Sequence, residues 1–411
     1  MRILISAYAC EPEKGSEEAV GWNWVLQISR FHELWVITRT NNQEPIEKAL
    51  ATKPLPNVHW VYFDLPRWAR FWKKGERGLH AYYYLWQIGA YFVVRRLHRR
   101  VGFNLVHHVT FGQYWTPPFP ALLSIPFIWG PVGGGESAPL AFKSTFASVG
   151  RRFESLRDFR RRLASIDPLL RLIASRSRLA IATTEETAGR LRRLGATKVI
   201  VHPQFGMTEE ETCYFANLPS RQMEPFRLIS MGRNLHWKGF HLSLRAFAKF
   251  RVSYPDAEYW ITGRGPESDN LKALARDLGI KDKVVFWGKL ATLKEVYAKL
   301  AESDVLVHPA LHEAFGNVCL EAMAAGRPVV CLDLGGPALQ VTENTGIKVP
   351  AISPEQVVAD LAAAFSRLIG DPALRMRLGD AARRRAGADF NWDRKGEWMN
   401  QVYFLAKDGY A

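Results

Sequence analysis

Two glutamates, Glu313 and Glu321, stand eight positions apart within HPALHEAFGNVCLEAMAAGRPVVC, residues 308–331. The apolar, β-branched run DVLVHP that leads into them reads as a buried parallel strand. Gly316 opens the next run, in which Val318, Leu320, Ala322, Met323 and Ala325 supply apolar helix positions. Gly326, Arg327 and Pro328 then stop that helix before a further strand, VVCL. Glu313 is therefore expected in a loop at the carboxyl edge of a sheet, and Glu321 about one turn into the helix. Between them lie the backbone N–H groups of Phe315, Gly316, Asn317 and Val318, at a helix start that favours an anion such as a diphosphate. Carboxylates accept hydrogen bonds from hydroxyls, so a polyhydroxy ligand carrying phosphate suits the pair. By residue type alone, the two also fit a helix-start charge and a solvated face residue.

Other groups gather at strand ends. SMGRNLHWKGF sets Arg233 and Lys238 in the loop after a strand, where two cations can hold both phosphates of a leaving nucleoside diphosphate. Two solvated loop cations are the alternative. ITGRGPE places Gly263 and Gly265 after the next strand, without the full dinucleotide fingerprint. In the first half, Gly15 and Ser16 precede a helix start, as a flexible residue and an N-cap that present N–H groups. An ordinary loop and cap would look the same. His107 and His108 close the strand NLVHHV; strand side chains alternate, so one of them is expected to face a ligand. Gly133, Gly134 and Gly135 precede Glu136 in a loop that permits close backbone approach.

Two successive series of alternating strands and helices must position these groups. The first comprises RILISAY, LWVIT, VHWVYF, NLVHHV, FIWG, LAIAT and VIV; the second comprises FRLISM, EYWIT, VVFWG, VLVHP and VVCL. Strands alternating with helices imply α/β architecture with parallel, doubly wound sheets. The polar, Pro-punctuated stretch from Pro203 to Pro225 reads as the linker region. The expected domains are 1–205, completed by 391–411, and 206–390.

The chain of 411 residues is 47% hydrophobic, enough for two real cores, and its four cysteines show no metal-like spacing. A reduced, cytoplasmic protein is the expectation. MRILISAYAC leads straight into a strand without signal-peptide architecture, and no apolar run is long and unbroken enough to span a bilayer. Neither an Asp-x-Asp element nor a His/Cys cluster suggests a metal, so no metal and no cofactor are expected. Charge is lopsided: residues 1–205 hold 29 Lys and Arg against 15 Asp and Glu, whereas residues 206–411 hold 26 against 25. Residues 66–100 interleave nine basic residues with nine aromatics, among them Trp68, Phe71, Trp72, Lys73 and Lys74. That mixture suits an anionic membrane surface, with rings at the apolar boundary and cations on lipid phosphate. A nucleic-acid partner would use the same groups but would leave Arg233, Lys238, Glu313 and Glu321 unexplained, so none is expected. The basic run 151–162 has interspersed acids and reads as an exposed helix face.

EAFGNVCLE resembles the E-x7-E signature of the retaining GT-B glycosyltransferases of glycosyltransferase family 4, group 1 glycosyl transferases, and the surrounding residues follow the family pattern. GR…KG at Arg233–Lys238 and GRGPE resemble its phosphate and base loops. CEPEKGSEEAVGW and GPVGGGESAP are similar to a bacterial surface-polysaccharide subgroup. The resemblance implies two Rossmann-like domains facing a cleft, with the C-terminal helix crossing back to the N-terminal domain. It further implies transfer of a sugar from a UDP- or GDP-linked donor to a glycan or lipid-linked acceptor, on the inner face of the cytoplasmic membrane. Glu313 and one of His107 or His108 would contact the donor sugar and Glu321 the ribose. Gly15 and Ser16 would approach the donor phosphate or the acceptor. A GT-B epimerase or phosphorylase is the enzymatic alternative.

Overall fold

The computed structural model describes residues 1–73, 75, 78–219 and 224–408; Lys74, Glu76 and Arg77, which belong to the basic stretch 66–100, lie outside them. The chain forms two units. One is built from residues 1–135, 159–206 and 392–411, the other from 136–158 and 207–391.

In the first unit, strands β1 (Arg2–Ala7), β2 (Glu33–Thr38), β3 (Val58–Tyr62), β4 (Leu105–Thr110), β5 (Phe127–Val132), β6 (Leu179–Ala182) and β7 (Val199–Val201) make one sheet. Its order is β3-β2-β1-β4-β5-β6-β7, with every pair parallel. β4 and β5 are buried along their whole length; β5 is apolar throughout, whereas β4 also buries His107, His108 and Thr110. One face packs the helix Leu79–Val101 through Tyr82, Tyr83 and Trp86. The other packs the helix Glu17–Ser29 through Trp24 and Val25, and the C-terminal helix Trp392–Asp408 through Met399 and Tyr403. The last helix thus returns to the N-terminal unit, as the resemblance implied.

The second unit comprises β8 (Arg227–Met231), β9 (Glu258–Thr262), β10 (Val284–Gly288), β11 (Val305–His308), β12 (Val329–Leu332) and β13 (Gly346–Val349). They are ordered β10-β9-β8-β11-β12-β13, again all parallel. β13 was not anticipated. Phe142 and Phe146, from the inserted segment 136–158, join Phe240, Phe247 and Tyr259 in this unit's core.

In both sheets the strand order reverses beside a central strand, between β1 and β4 and between β8 and β11. Ligands of open α/β sheets bind outside the carboxyl ends of strands at such switch points. Among the described residues, no helix is long and apolar enough to cross a membrane.

Gly239, which caps the helix Phe240–Arg251, sets how closely the loops after β8 and β11 meet. Its φ is +69°, and a Cβ there would stand 1.9 Å from the Pro309 carbonyl oxygen. Left-handed backbone alone costs a non-glycine residue about 1–2 kcal/mol. Gly239→Ala should therefore lower the urea midpoint by more than that cost. Gly15→Ala, where a Cβ meets nothing within 4 Å, should leave the midpoint unchanged; equal midpoints for both variants would contradict the packing described.

Candidate functional site

The chemistry of the second unit concentrates at the β8/β11 switch point. After β8 the chain turns through Gly232 and Arg233 into a short 3₁₀ turn, His236–Lys238. After β11 it runs through Pro309 and His312 to Glu313 and the helix Asn317–Ala324. Lys238 and Glu313 join these loops as an ion pair. Burial acts to raise the Glu313 carboxyl, but the charge of Lys238 and its hydrogen bond outweigh it and hold the group below its usual range. Glu313 is therefore ionised at neutral pH. Its second oxygen and the remaining Lys238 N–H groups are still available to a ligand.

His308 lies under this pair, its Nε2 3.8 Å from Glu313 Oε2. It is wholly buried, and among the described residues neither ring nitrogen has a hydrogen-bond partner. Burial, helped by Lys238, pushes it down to about 3, so it is neutral. The sequence reading passed over His308 because a strand-terminal histidine among apolar residues carries no sign of what it faces.

Arg233 is exposed, with no ion pair or side-chain hydrogen bond among the described residues. Gly263 and Gly265 lie beside the same loop, and their lack of Cβ serves packing. A Cβ on Gly263 would come 2.0 Å from the Gly232 carbonyl oxygen, and one on Gly265 would come 2.3 Å from that of Asn234. Gly316 is left-handed, at φ 84°, and caps the helix Asn317–Ala324 with no side-chain bond. The amides of Asn317 and Val318 at this first turn have no preceding helical carbonyl to meet. Phe315 is buried, its carbonyl accepting from Gln340 Nε2 at 2.5 Å. Glu321 is half-buried one turn in; burial, with Glu211 adding like charge, pushes its carboxyl up to about 7.

Glu154, from the inserted segment, was missed because nothing in the basic run around it indicated where it would point. It is 1% exposed, and its Oε1 accepts from His236 Nε2 and from His312 Nε2, each at 3.0 Å. The Trp237 ring stacks between Phe153 and His312 at centroid distances of 5.4 and 5.2 Å. Burial would raise the Glu154 carboxyl, but the two histidine bonds and the charge of Arg157 hold it well below the usual range. One carboxylate therefore ties both loops of the switch point together.

The first unit holds the remaining candidates. His107 is buried; its Nε2 donates to the Gly130 carbonyl at 2.5 Å and its Nδ1 accepts from the Tyr403 hydroxyl at 2.7 Å. Both ring nitrogens of His107 are thus engaged inside the unit, and the Tyr403 bond fastens the C-terminal helix to β4. His108 is also buried, its Nδ1 3.1 Å from Ser6 Oγ and its Nε2 3.4 Å from the Tyr83 hydroxyl. Burial lowers both, to about 4 and about 3. Ser16 precedes the helix Glu17–Ser29 with a φ of 64° and a ψ of −137°, outside the usual cap conformation, and its side chain makes no cap bond. Gly15 has no left-handed φ and open space around it, so its flexibility is not called on. Glu136 is buried and belongs to the second unit. No cluster of three or more His, Cys, Asp or Glu among the described residues could hold a metal ion.

Residues 217–385 match the family model described as glycosyl transferases group 1. A segment of 186 residues is 36% identical to the glycogen synthase of Mycobacterium tuberculosis, covering 45% of this chain and 44% of that protein. Over 155 residues it is 34% identical to the lipopolysaccharide core biosynthesis glycosyltransferase LpsD of Rhizobium meliloti, covering 38% and 42%. The matched segment thus spans less than half the length of these curated relatives. The structure of HepE from Anabaena in complex with UDP and glucose superposes with a TM-score of 0.60 at 17% identity, over 98% of this chain and 99% of that one. The fold is thus shared across both units, and it is GT-B.

Two outcomes test the geometry. Glu154→Ala removes the acceptor common to two histidine donors and should cost about 3 kcal/mol in urea unfolding; a change near zero would mean the clamp carries nothing. For Glu321, the folded-state value of about 7 lies above the ordinary 4.5. Its neutral form therefore adds stability that is complete below 4.5 and lost as pH rises through 7. Glu321→Gln escapes that loss, so its melting temperature should gain on the parent between pH 5 and pH 8. A gap independent of pH would contradict the buried carboxyl.

Proposed function

We propose that this chain, whose residues 217–385 match the group 1 glycosyl transferases, transfers a sugar from a nucleotide-diphospho-sugar to a glycan or lipid-linked acceptor with retention at the anomeric carbon. The observation that carries this reading is the pairing of Lys238 with Glu313 across the β8/β11 switch point, beside the unpaired cation Arg233 and the first turn of Asn317–Ala324. Glu321 receives the ribose hydroxyls. Glu313 accepts from hydroxyls of the sugar. Arg233, Lys238 and the amides of Asn317 and Val318 meet the diphosphate.

As the anomeric C–O bond breaks, negative charge grows on the leaving phosphate, where cations and helix N–H groups stabilise it more than in the ground state. The leaving phosphate takes the acceptor's proton, so the chain needs no base of its own. Positive charge at the diphosphate comes from Arg233 and Lys238. The UDP and glucose bound to HepE support a UDP-linked hexose as the first donor to try. The LpsD relative supports a surface-glycan acceptor.

For a lipid-linked acceptor, the partner we propose is an anionic membrane surface met by the exposed Trp68 and Phe71 with Arg67 beside them. Trp72 and Lys73 do not join them. Trp72 packs against the first unit's core and donates to the Ala69 carbonyl, while Lys73 lies over the Tyr82 ring.

Glu321→Ala should weaken UDP binding in calorimetry by about fivefold or more, the effect of leaving a buried hydroxyl without its partner, about 1–3 kcal/mol. Glu313→Ala should spare UDP yet abolish transfer from UDP-glucose. Arg233→Ala should depress turnover with little change in melting temperature. Equal small effects from all three would return these residues to a structural role. Transfer should persist in EDTA, and metal-restored activity after complete loss would contradict the charge assignment.

A further inference from the structure

The helix Ser148–Ile166 is built inside out. Val149, Phe153, Leu156, Phe159, Leu163 and Ile166 recur every three or four residues, so they share one helix face. That face points to solvent: the six are between 48% and 74% exposed. The inward face instead holds Gly150 and two charged residues, Glu154 and Arg161, each 1% exposed. Glu154 accepts from the two histidines described above, and Arg161 donates to the Gly134 carbonyl at 2.7 Å with its guanidinium over the Trp115 ring. A surface helix of a soluble protein normally has the reverse arrangement.

The cations that do face outward are Arg151, Arg152, Arg160 and Arg162, all exposed. The acids do not: Glu154 is buried, and Asp158 is half-buried in a pair with Lys143 at 2.6 Å. The solvent side of this helix is therefore apolar and cationic, with no exposed carboxylate. Leu163 and Arg160 also line a groove of about 700 Å³ with Tyr84, Leu85, Trp115 and Pro117, which extends the apolar surface within the first unit.

We propose that this helix lies in the interface of an anionic phospholipid bilayer, its apolar stripe among the acyl chains and its arginines on lipid phosphate. A second copy of the same stripe would set Arg152 and Arg160 against their own like charges across a two-fold axis, which disfavours self-pairing. Lipid phosphate complements them, and arginine stems can lie along the apolar boundary while their heads reach it. This inference rests on the membrane reading above.

The test is flotation of the full chain with vesicles of phosphatidylcholine alone and of phosphatidylcholine mixed with phosphatidylglycerol. The parent protein should float with the mixed vesicles and far less with the neutral ones. High salt should weaken this attachment without abolishing it, because the apolar term is not screened. Leu156→Glu/Leu163→Glu and Arg152→Glu/Arg160→Glu should each reduce it about tenfold or more, with circular dichroism and UDP binding unchanged. Loss confined to Trp68→Ala/Phe71→Ala would overturn the helix assignment and leave the membrane reading standing. No flotation of the parent at low salt would overturn both. A dimer in light scattering that Leu156→Glu/Leu163→Glu splits would assign the stripe to a second copy instead. UDP calorimetry reads the donor site separately, so failure there is not confused with failure here.

Discussion

A single buried carboxylate sets the geometry on which the second unit's chemistry depends. Glu154 offers one oxygen to two imidazole N–H groups, one in the loop after β8 and one in the loop after β11. Taking an ionised carboxylate out of water is costly unless its partners are fixed. The reverse also holds: once Glu154 is buried, its partners cannot drift without leaving it unpaired. His236 stands two residues before Lys238, and His312 immediately precedes Glu313. The clamp therefore fixes the two loops from one side while the Lys238–Glu313 pair joins them from the other.

That double tie gives the site its electrostatic character. Glu313 stays ionised in a largely buried setting because a cation is held against it, whereas burial, with a like charge nearby, pushes Glu321 toward neutrality. Two glutamates of the same motif thus differ in proton affinity for physical reasons visible around each. Groups fixed before a ligand arrives need no reorganisation as charge develops, which is where preorganised sites gain their advantage.

Much of this was legible in the sequence, and the exceptions have causes. Continuous apolar runs located the buried strands, and the Gly316 helix start with its flanking glutamates was readable because local rules govern it. β13, GIKV, was not: four residues, a leading glycine and two half-exposed positions carry almost no pattern. The roles of His107 and His108 were open because both nitrogens of His107 are satisfied from 23 and 296 residues away, at Gly130 and Tyr403. Ser16 had the residue type of a cap but not the backbone for it. The run 151–162 looked like an ordinary solvated helix face, because composition alone cannot tell which side of an amphipathic helix the fold will cover. Here it covers the charged side.

The most direct measurement is backbone amide hydrogen exchange with and without UDP. If the donor is held as described, UDP should slow exchange in the loop 232–238 and at residues 316–321, leaving strands β1 to β7 unchanged. Protection by UDP that skips both segments, or UDP binding with no protection in the second unit, would contradict the account.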